Sequence, residues 1–218
     1  VSLIKKENWK WDLERLDEVV GNKTKVISIC NPNNPTGSVL SIRQMEKIIE
    51  IARKVGAYLL VDEVYIGAEL GLSETKSFLG MYEKTIVTSG LSKSYSHPGL
   101  RIGWIAANED LVREAWEIKD YTTIASSNLS QHIASKVLQK ETISKLRKRT
   151  KDLLNRNLIT FTKWALPYSN HLSFIKPEAG GFAFVEYDME MNSTDLIHNL
   201  RTNEGVFIVP GDSFGMDN

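Results

Sequence analysis

Cysteine is almost missing from this sequence: Cys30 is the single one in 218 residues. No internal disulfide can form, and the chain reads as suited to a reducing compartment, the cytoplasm. Because Cys30 closes the run Val26-Ile27-Ser28-Ile29, it reads as a small buried hydrophobe rather than a reactive thiol. A charge excess is missing too, since Lys+Arg and Asp+Glu both number 27. No global field therefore draws the protein to nucleic acid or to an acidic membrane surface. The basic cluster from Lys145 to Lys151 lies on a helical pattern backed by Leu146, Leu153 and Leu154, and reads as a solvated helix face. No apolar run reaches the length of a membrane span, and no signal peptide, internal repeat, low-complexity tract or metal site is visible.

What is present is globular. Hydrophobic residues make up 42% and charged residues 25%, and a chain of this length buries roughly 70% of its unfolded surface. It starts at Val1 rather than methionine and stops at Asn218 just after a Pro-Gly loop, so it reads as a segment of a longer polypeptide.

Trp11, Leu13, Leu16 and Val19 recur at helical spacing. Lys25 to Cys30 reads as a strand. The loop Asn31-Pro32-Asn33-Asn34-Pro35-Thr36-Gly37 breaks it, because prolines and glycine so close together exclude regular structure. Ser41 and Gln44 then form a capping box, with Leu40 and Met45 as a hydrophobic staple, and the helix they open ends at Gly56. Tyr58 to Val61, Thr85 to Thr88 and Arg101 to Ala106 read as further strands. Short apolar strands separated by a helix or a long loop predict a largely parallel, helix-covered sheet, an α/β fold.

Helical patterns follow at Glu109 to Lys119, Leu129 to Gln139 and Ile143 to Ala165, the last stopped by Pro167. Beyond it, strands at Leu172 to Ile175, Phe182 to Val185 and Val206 to Val209, with a helix at Ser193 to Arg201, read as α+β. The expected organisation is a large domain over 1–141, an interdomain helix over 142–166, and part of a small C-terminal domain over 167–218.

Ligands of parallel sheets bind where the strands end. Three loops leave strands there: Asn31 to Gly37, Asp62 to Tyr65, and Ser89 to Lys93. Together they offer an amide, a carboxylate, a phenol, hydroxyls and a lysine, with Arg101 close by. A lysine among small residues can form an imine with a carbonyl, whereas its bland alternative is a solvated loop residue. For Asp62 the bland alternative is a strand-end carboxylate capping a turn. The whole set suits a phosphorylated pyridine aldehyde. The carboxylate would hold the ring nitrogen protonated, and arginine with hydroxyls would take the phosphate.

The loop Asn31 to Gly37 carries seven specified positions, which at roughly 5% usage each arise by chance about once in a billion sites. With Asp62-Glu63-Val64-Tyr65, Ser92-Lys93 and Arg101 in order behind it, the chain resembles a class I/II pyridoxal-phosphate-dependent aminotransferase. These are fold-type-I enzymes of the aspartate aminotransferase superfamily, and the chain resembles one incomplete at both ends. The resemblance implies a three-layer α/β/α large domain, pyridoxal 5'-phosphate, amino acid and 2-oxo acid substrates, and a homodimer.

Residue by residue, the resemblance makes Lys93 the Schiff-base lysine and proton carrier and Asp62 the partner of the pyridine nitrogen. Asn34 and Tyr65 become the pair on the ring oxygen, and Arg101 the phosphate ligand. Tyr65 joins Lys93 and Asp62 as a catalytic candidate. The family's phosphate serine stands three residues before the lysine, where this chain has Gly90, so Ser89 or Ser92 is the expected substitute. His97 is a second departure. Gly180-Gly181 resembles the turn near the substrate, or else an ordinary hairpin. Ser126, Ser127 and Ser130 stand where relatives approach the partner's phosphate, or else cap a helix. The resemblance also implies an earlier glycine-rich segment and a later substrate arginine, neither found between Val1 and Asn218. The alternatives to transamination are β-elimination with the same cofactor and a non-catalytic or regulatory module.

Overall fold

The computed structural model describes residues 1–71 and 73–216. It divides into two compact units, Val1–Trp164 with Phe174–Phe184, and Ala165–Ser173 with the residues from Val185 onward.

The first unit opens with a small antiparallel pair, β1 (Leu3–Ile4) and β2 (Lys10–Trp11), before α1 (Leu13–Val19). Trp11 is therefore a strand residue and not part of the helix. Asp12 starts α1 instead, its side chain accepting the Arg15 N–H at 2.8 Å. Next come β3 (Val26–Cys30), α2 (Ile42–Val55), β4 (Tyr58–Asp62), β5 (Thr85–Gly90) and β6 (Gly103–Ala106). The sheet order is β3-β4-β5-β6, with β3, β4 and β5 parallel and β6 antiparallel on the edge. This is the expected α/β fold with a mostly parallel sheet.

The pleat decides which side chains enter the core. Ile27 and Ile29 of β3, and Leu59 and Val61 of β4, are buried against Met45, Ile48, Ile49 and Ala52 of α2. Val26 and Ile105 alternate outward and remain half exposed. Helix α2 starts at the predicted capping box, Gln44 N–H reaching Ser41 Oγ and Ser41 N–H reaching Gln44 Oε1. It ends at Gly56, which takes the left-handed φ of 70°. Among the described residues, the stretch between β4 and β5 contains no regular helix, and it is tied down by a buried acid: Glu63 accepts the Phe78 N–H at 2.8 Å.

Helices α3 (Glu109–Lys119), α4 (Asn128–Val137) and α5 (Lys140–Ala165) follow. Ala134 and Val137 of α4 bury Leu91 and Tyr95, with Ile143 and Leu146 of α5 against the same cluster. Leu153 is 37% exposed and does not share that inward stripe. Ser127 stands before α4 without a hydroxyl cap, so only the position fits the capping alternative.

The second unit holds β8 (Val185–Tyr187) with all but the last residue of its partner β7 (Leu172–Phe174), and α6 (Ser193–Asn199), which runs on through a turn at Leu200–Glu204. Asp212 accepts both the backbone N–H and the hydroxyl of Thr194, and these bonds hold its carboxyl below the usual range. Two expected strands shift or fail. The second strand starts at Val185 rather than Phe182, and Val206 to Val209 forms none. Among the described residues no strand pairs with that stretch, and its four side chains stand 46–70% exposed.

Candidate active site

The loop after β3 is fixed by its own side chains, which explains its unusual composition. Asn31 Oδ1 accepts the Leu40 N–H at 2.9 Å, and Asn33 Oδ1 accepts the Thr36 hydroxyl at 2.8 Å. Both Asn-Pro bonds, Asn31-Pro32 and Asn34-Pro35, are cis. Gly37 has a φ of 71°, and a Cβ there would lie 2.4 Å from Pro177 Cβ and 2.7 Å from the Ala179 carbonyl. Only glycine lets the loop close against 177–179, where the Gly37 carbonyl accepts N–H bonds from both Glu178 and Ala179. Asn33 is spent on the loop, whereas Asn34 stays exposed at its tip.

Asn34 Nδ2 donates to the Tyr65 hydroxyl at 3.3 Å. Tyr65 is 7% exposed, and Phe182 stands edge-on to it at 5.1 Å between ring centres. Burial raises the Tyr65 pKa, helped by the neighbouring Cys30 and Asp62 and opposed by the Asn34 bond. The phenol thus keeps its proton at neutral pH. Lys93 Nζ lies 5.8 Å from the centre of the same ring. The structure therefore brings Asn34, Tyr65 and Lys93, from three separate loops, to one place at the strand ends.

Asp62 ends β4 beside Cys30 in the parallel register. Its Oδ1 accepts the Val64 N–H at 3.1 Å, so it does cap the turn. Its Oδ2 has no hydrogen-bond partner among the described residues, and one carboxylate can serve both roles. Cys30 is half buried and donates to the Pro32 carbonyl at 3.2 Å; burial pushes its thiol pKa up, as suits an inert small side chain.

Arg101 has a φ of 54° and brings Nη1 3.5 Å from Ser92 Oγ and 3.0 Å from the Pro98 carbonyl. Guanidinium and hydroxyl together make a donor pair for an anion. Ser89 turns its hydroxyl to the Glu63 carbonyl at 3.4 Å. At Gly90, a Cβ would meet the Ile102 carbonyl at 2.9 Å because β6 approaches β5 closely there. The missing serine thus has a packing reason. His97 Nδ1 donates to the Tyr95 carbonyl and its backbone N–H to Leu91, both bonds internal to the loop.

Two residues behind the site are not singled out by the sequence. Arg147, placed there on a solvated face, is instead half buried and reaches Tyr95 and Glu74. Thr150 is 6% exposed and bonded to Ser94. The signal was available: Ile143, Arg147, Thr150 and Leu154 follow the i, i+4, i+7, i+11 rhythm of an inward stripe, with two polar members. The donor set fits pyridoxal 5'-phosphate chemically. It offers a carboxylate oxygen with no partner, a phenol with its proton, an amide, a lysine and a guanidinium–hydroxyl pair. Among the described residues no cluster of His, Cys, Asp or Glu is placed to hold a metal ion, and no helix is long and apolar enough to cross a membrane.

The sequence matches the model of the family described as aminotransferase class I and II over residues 1–218. It is 35% identical over 207 residues to the putative aminotransferase YugH of Bacillus subtilis, covering 91% of this chain and 51% of that protein. It is 27% identical over 220 residues to an aspartate aminotransferase of Pyrococcus abyssi, covering 99% and 56%. A crystal structure of a PLP-dependent aminotransferase from Streptococcus suis superposes with a TM-score of 0.90 at 34% identity, over 99% of this chain and 56% of that one. The chain spans about half the length of the relatives it matches.

Proposed function

This chain belongs to the class I and II aminotransferases, and from that premise we propose that the whole protein transfers an amino group between an amino acid and a 2-oxo acid. The observation that carries the reading is the meeting of Lys93 Nζ, 5.8 Å from the Tyr65 ring centre, with the Asn34–Tyr65 hydrogen bond of 3.3 Å. When bound, pyridoxal 5'-phosphate supplies an aldehyde that takes the amino group and a ring that withdraws electrons.

Each residue then has a defined part. Lys93 Nζ would be the amine that holds the aldehyde, and the group that moves a proton to and from the substrate carbon. Asp62 Oδ2 would accept from a protonated ring nitrogen while Oδ1 stays on Val64 N–H. Tyr65, accepting from Asn34, keeps its own O–H to donate; Asn34 keeps a second N–H, so both can aim at a ring oxygen. Arg101, with Ser92 beside it, would bind the phosphate by charge-assisted bonds. Ser89 stands behind them, joined to the Glu63 carbonyl. A homodimer and the cytoplasm, implied by the resemblance and by the single thiol, complete the proposal.

The test uses the full-length protein, incubated with pyridoxal 5'-phosphate, reduced with borohydride and mapped by mass spectrometry. A label on Lys93, with amino exchange that requires a 2-oxo acid acceptor, is expected. A label elsewhere, or ammonia released without an acceptor, would overturn the reading.

A further inference from the structure

The lysine sits at the start of a tight turn that is costly to hold. The Ser96 N–H donates back to the Lys93 carbonyl at 2.9 Å, and Ser96 takes a φ of 58°. A residue with a side chain adopts that left-handed conformation only when its surroundings enforce it.

The enforcing group is on α5, far along the chain. Thr150 Oγ1 donates to the Ser94 carbonyl at 3.0 Å and lies 3.1 Å from Ser96 Oγ. A hydroxyl has one proton, and that of Thr150 is already given to Ser94. Ser96 must therefore be the donor in the second bond. One buried hydroxyl grips the turn on both sides of Tyr95, at Ser94 and Ser96, one and three residues beyond the lysine.

One turn earlier on the same helix, Arg147 takes hold of Tyr95 itself. Its Nη2 lies 3.4 Å from the Tyr95 hydroxyl, and its guanidinium carbon 5.6 Å from the ring centre. The same side chain lies on the backbone of Gly67, two residues after Tyr65. A Cβ at Gly67 would be 2.8 Å from Arg147 Nε. Glu74 pairs with Nη1 and fixes the arginine from the far side. A single helical stripe thus touches the loop that carries Asp62 and Tyr65 and the loop that carries Lys93.

We propose that Thr150 and Arg147 are positioning residues, which set the Lys93 side chain against Tyr65 and Asp62 by clamping the turn Lys93–Ser96 to α5. The proposal rests on the reading of Lys93 as the residue that attaches the cofactor. It goes beyond that reading by assigning work to a helix with no side chain among the cofactor ligands.

The test compares Thr150→Val, Thr150→Ser and the double variant Ser96→Gly/Thr150→Val in the full-length protein. Lys93 acylation by acetic anhydride is followed in the cofactor-free protein, with surface lysines as internal standards. The pH midpoint of the visible absorbance change is followed in the loaded protein, together with kcat and KM. Thr150→Val is expected to change the Lys93 labelling rate at least threefold and to lower kcat about 10-fold with little change in KM, since small misplacements of reacting groups are expensive. The absorbance midpoint should move as well. Thr150→Ser, which keeps the hydroxyl, should restore all three. Ser96→Gly should rescue part of the loss, because glycine takes the left-handed φ without help. Tyr95→Phe, which keeps the ring under Arg147, is a gentler variant and should move the same readouts by a smaller factor.

If Thr150→Val and Tyr95→Phe lower the melting temperature alone, with labelling and midpoint unchanged, the proposal is overturned. If the wild type takes no cofactor on Lys93, the functional reading fails. The labelling of the cofactor-free protein then still decides the clamp: a threefold change supports it, and no change overturns it.

Discussion

Asn34 and Tyr65 lie 31 residues apart in sequence and are joined by a hydrogen bond of 3.3 Å between the amide and the phenol oxygen. Because Tyr65 accepts in this bond, its own proton points elsewhere, and the pair acts as a double donor. Removing either member should weaken the other's contribution. In a double-mutant cycle of Asn34→Ala and Tyr65→Phe, each single variant should bind pyridoxal 5'-phosphate about 10-fold more weakly. A coupling energy of roughly 0.5–1.5 kcal/mol should remain. Equilibrium dialysis measures it, and strictly additive losses would contradict the pairing.

Asp62 does two things with two oxygens, which makes Asp62→Asn more informative than removal. The amide oxygen can still accept from Val64 N–H, so the turn and the melting temperature should be preserved. The charge that holds a ring proton is gone, and kcat should fall by about 10³-fold or more. Steady-state kinetics beside a thermal melt separates the two effects. A variant that keeps full turnover would remove Asp62 from the mechanism.

Gly90→Ser would place a serine three residues before the lysine, where the family resemblance implies one. It should not restore a phosphate ligand, because its Cβ would press on the Ile102 carbonyl at 2.9 Å. The expected cost is about 1–3 kcal/mol of stability, read as a lowered urea midpoint with no gain in cofactor affinity.

Glu63 is 5% exposed, and burial raises its carboxyl above the ordinary value, against the Ser77 and Phe78 hydrogen bonds that lower it. A raised acid binds its proton more readily folded than unfolded. Its contribution is therefore full below the unfolded pKa and is lost as pH rises through the folded one. Glu63→Gln keeps an acceptor for Phe78 N–H and avoids the buried charge. It should melt about 2–4 °C above wild type at pH 8, with the gap closing as the pH falls toward 4. A gap that is independent of pH would show that the carboxylate's charge is not the cause.

Much of this was legible in the sequence where local chemistry decides the outcome. The capping box at Ser41 and Gln44 and the stop at Gly56 depend on neighbours within a turn, and both stand as read. Trp11 failed for an equally local reason. Its apolar spacing to Leu13 and Leu16 suited a helix, but Asp12 is the better first cap and leaves Trp11 to pair with Leu3. Val206 to Val209 failed because β-propensity does not supply a partner strand. Arg147 was misplaced because a charged residue in a basic run resembles solvent-facing charge until Tyr95 and Glu74 come up beside it. At the site, the identities of Lys93, Asp62, Tyr65, Asn34 and Arg101 could be proposed from motif order. The Ser89 hydroxyl bond to Glu63 depends on sheet register, which no short motif encodes.

The closure of Gly37 on 177–179 makes the signature loop a reporter of late assembly. Its carbonyl is held by the amides of Glu178 and Ala179, some 140 positions downstream. A contact that distant closes a long loop and forms only once both ends of the unit have been made. The loop thus matures with the unit as a whole rather than with its own strand. Those two amides should exchange with deuterium in step with the slowest protons of the sheet, on the schedule of global unfolding.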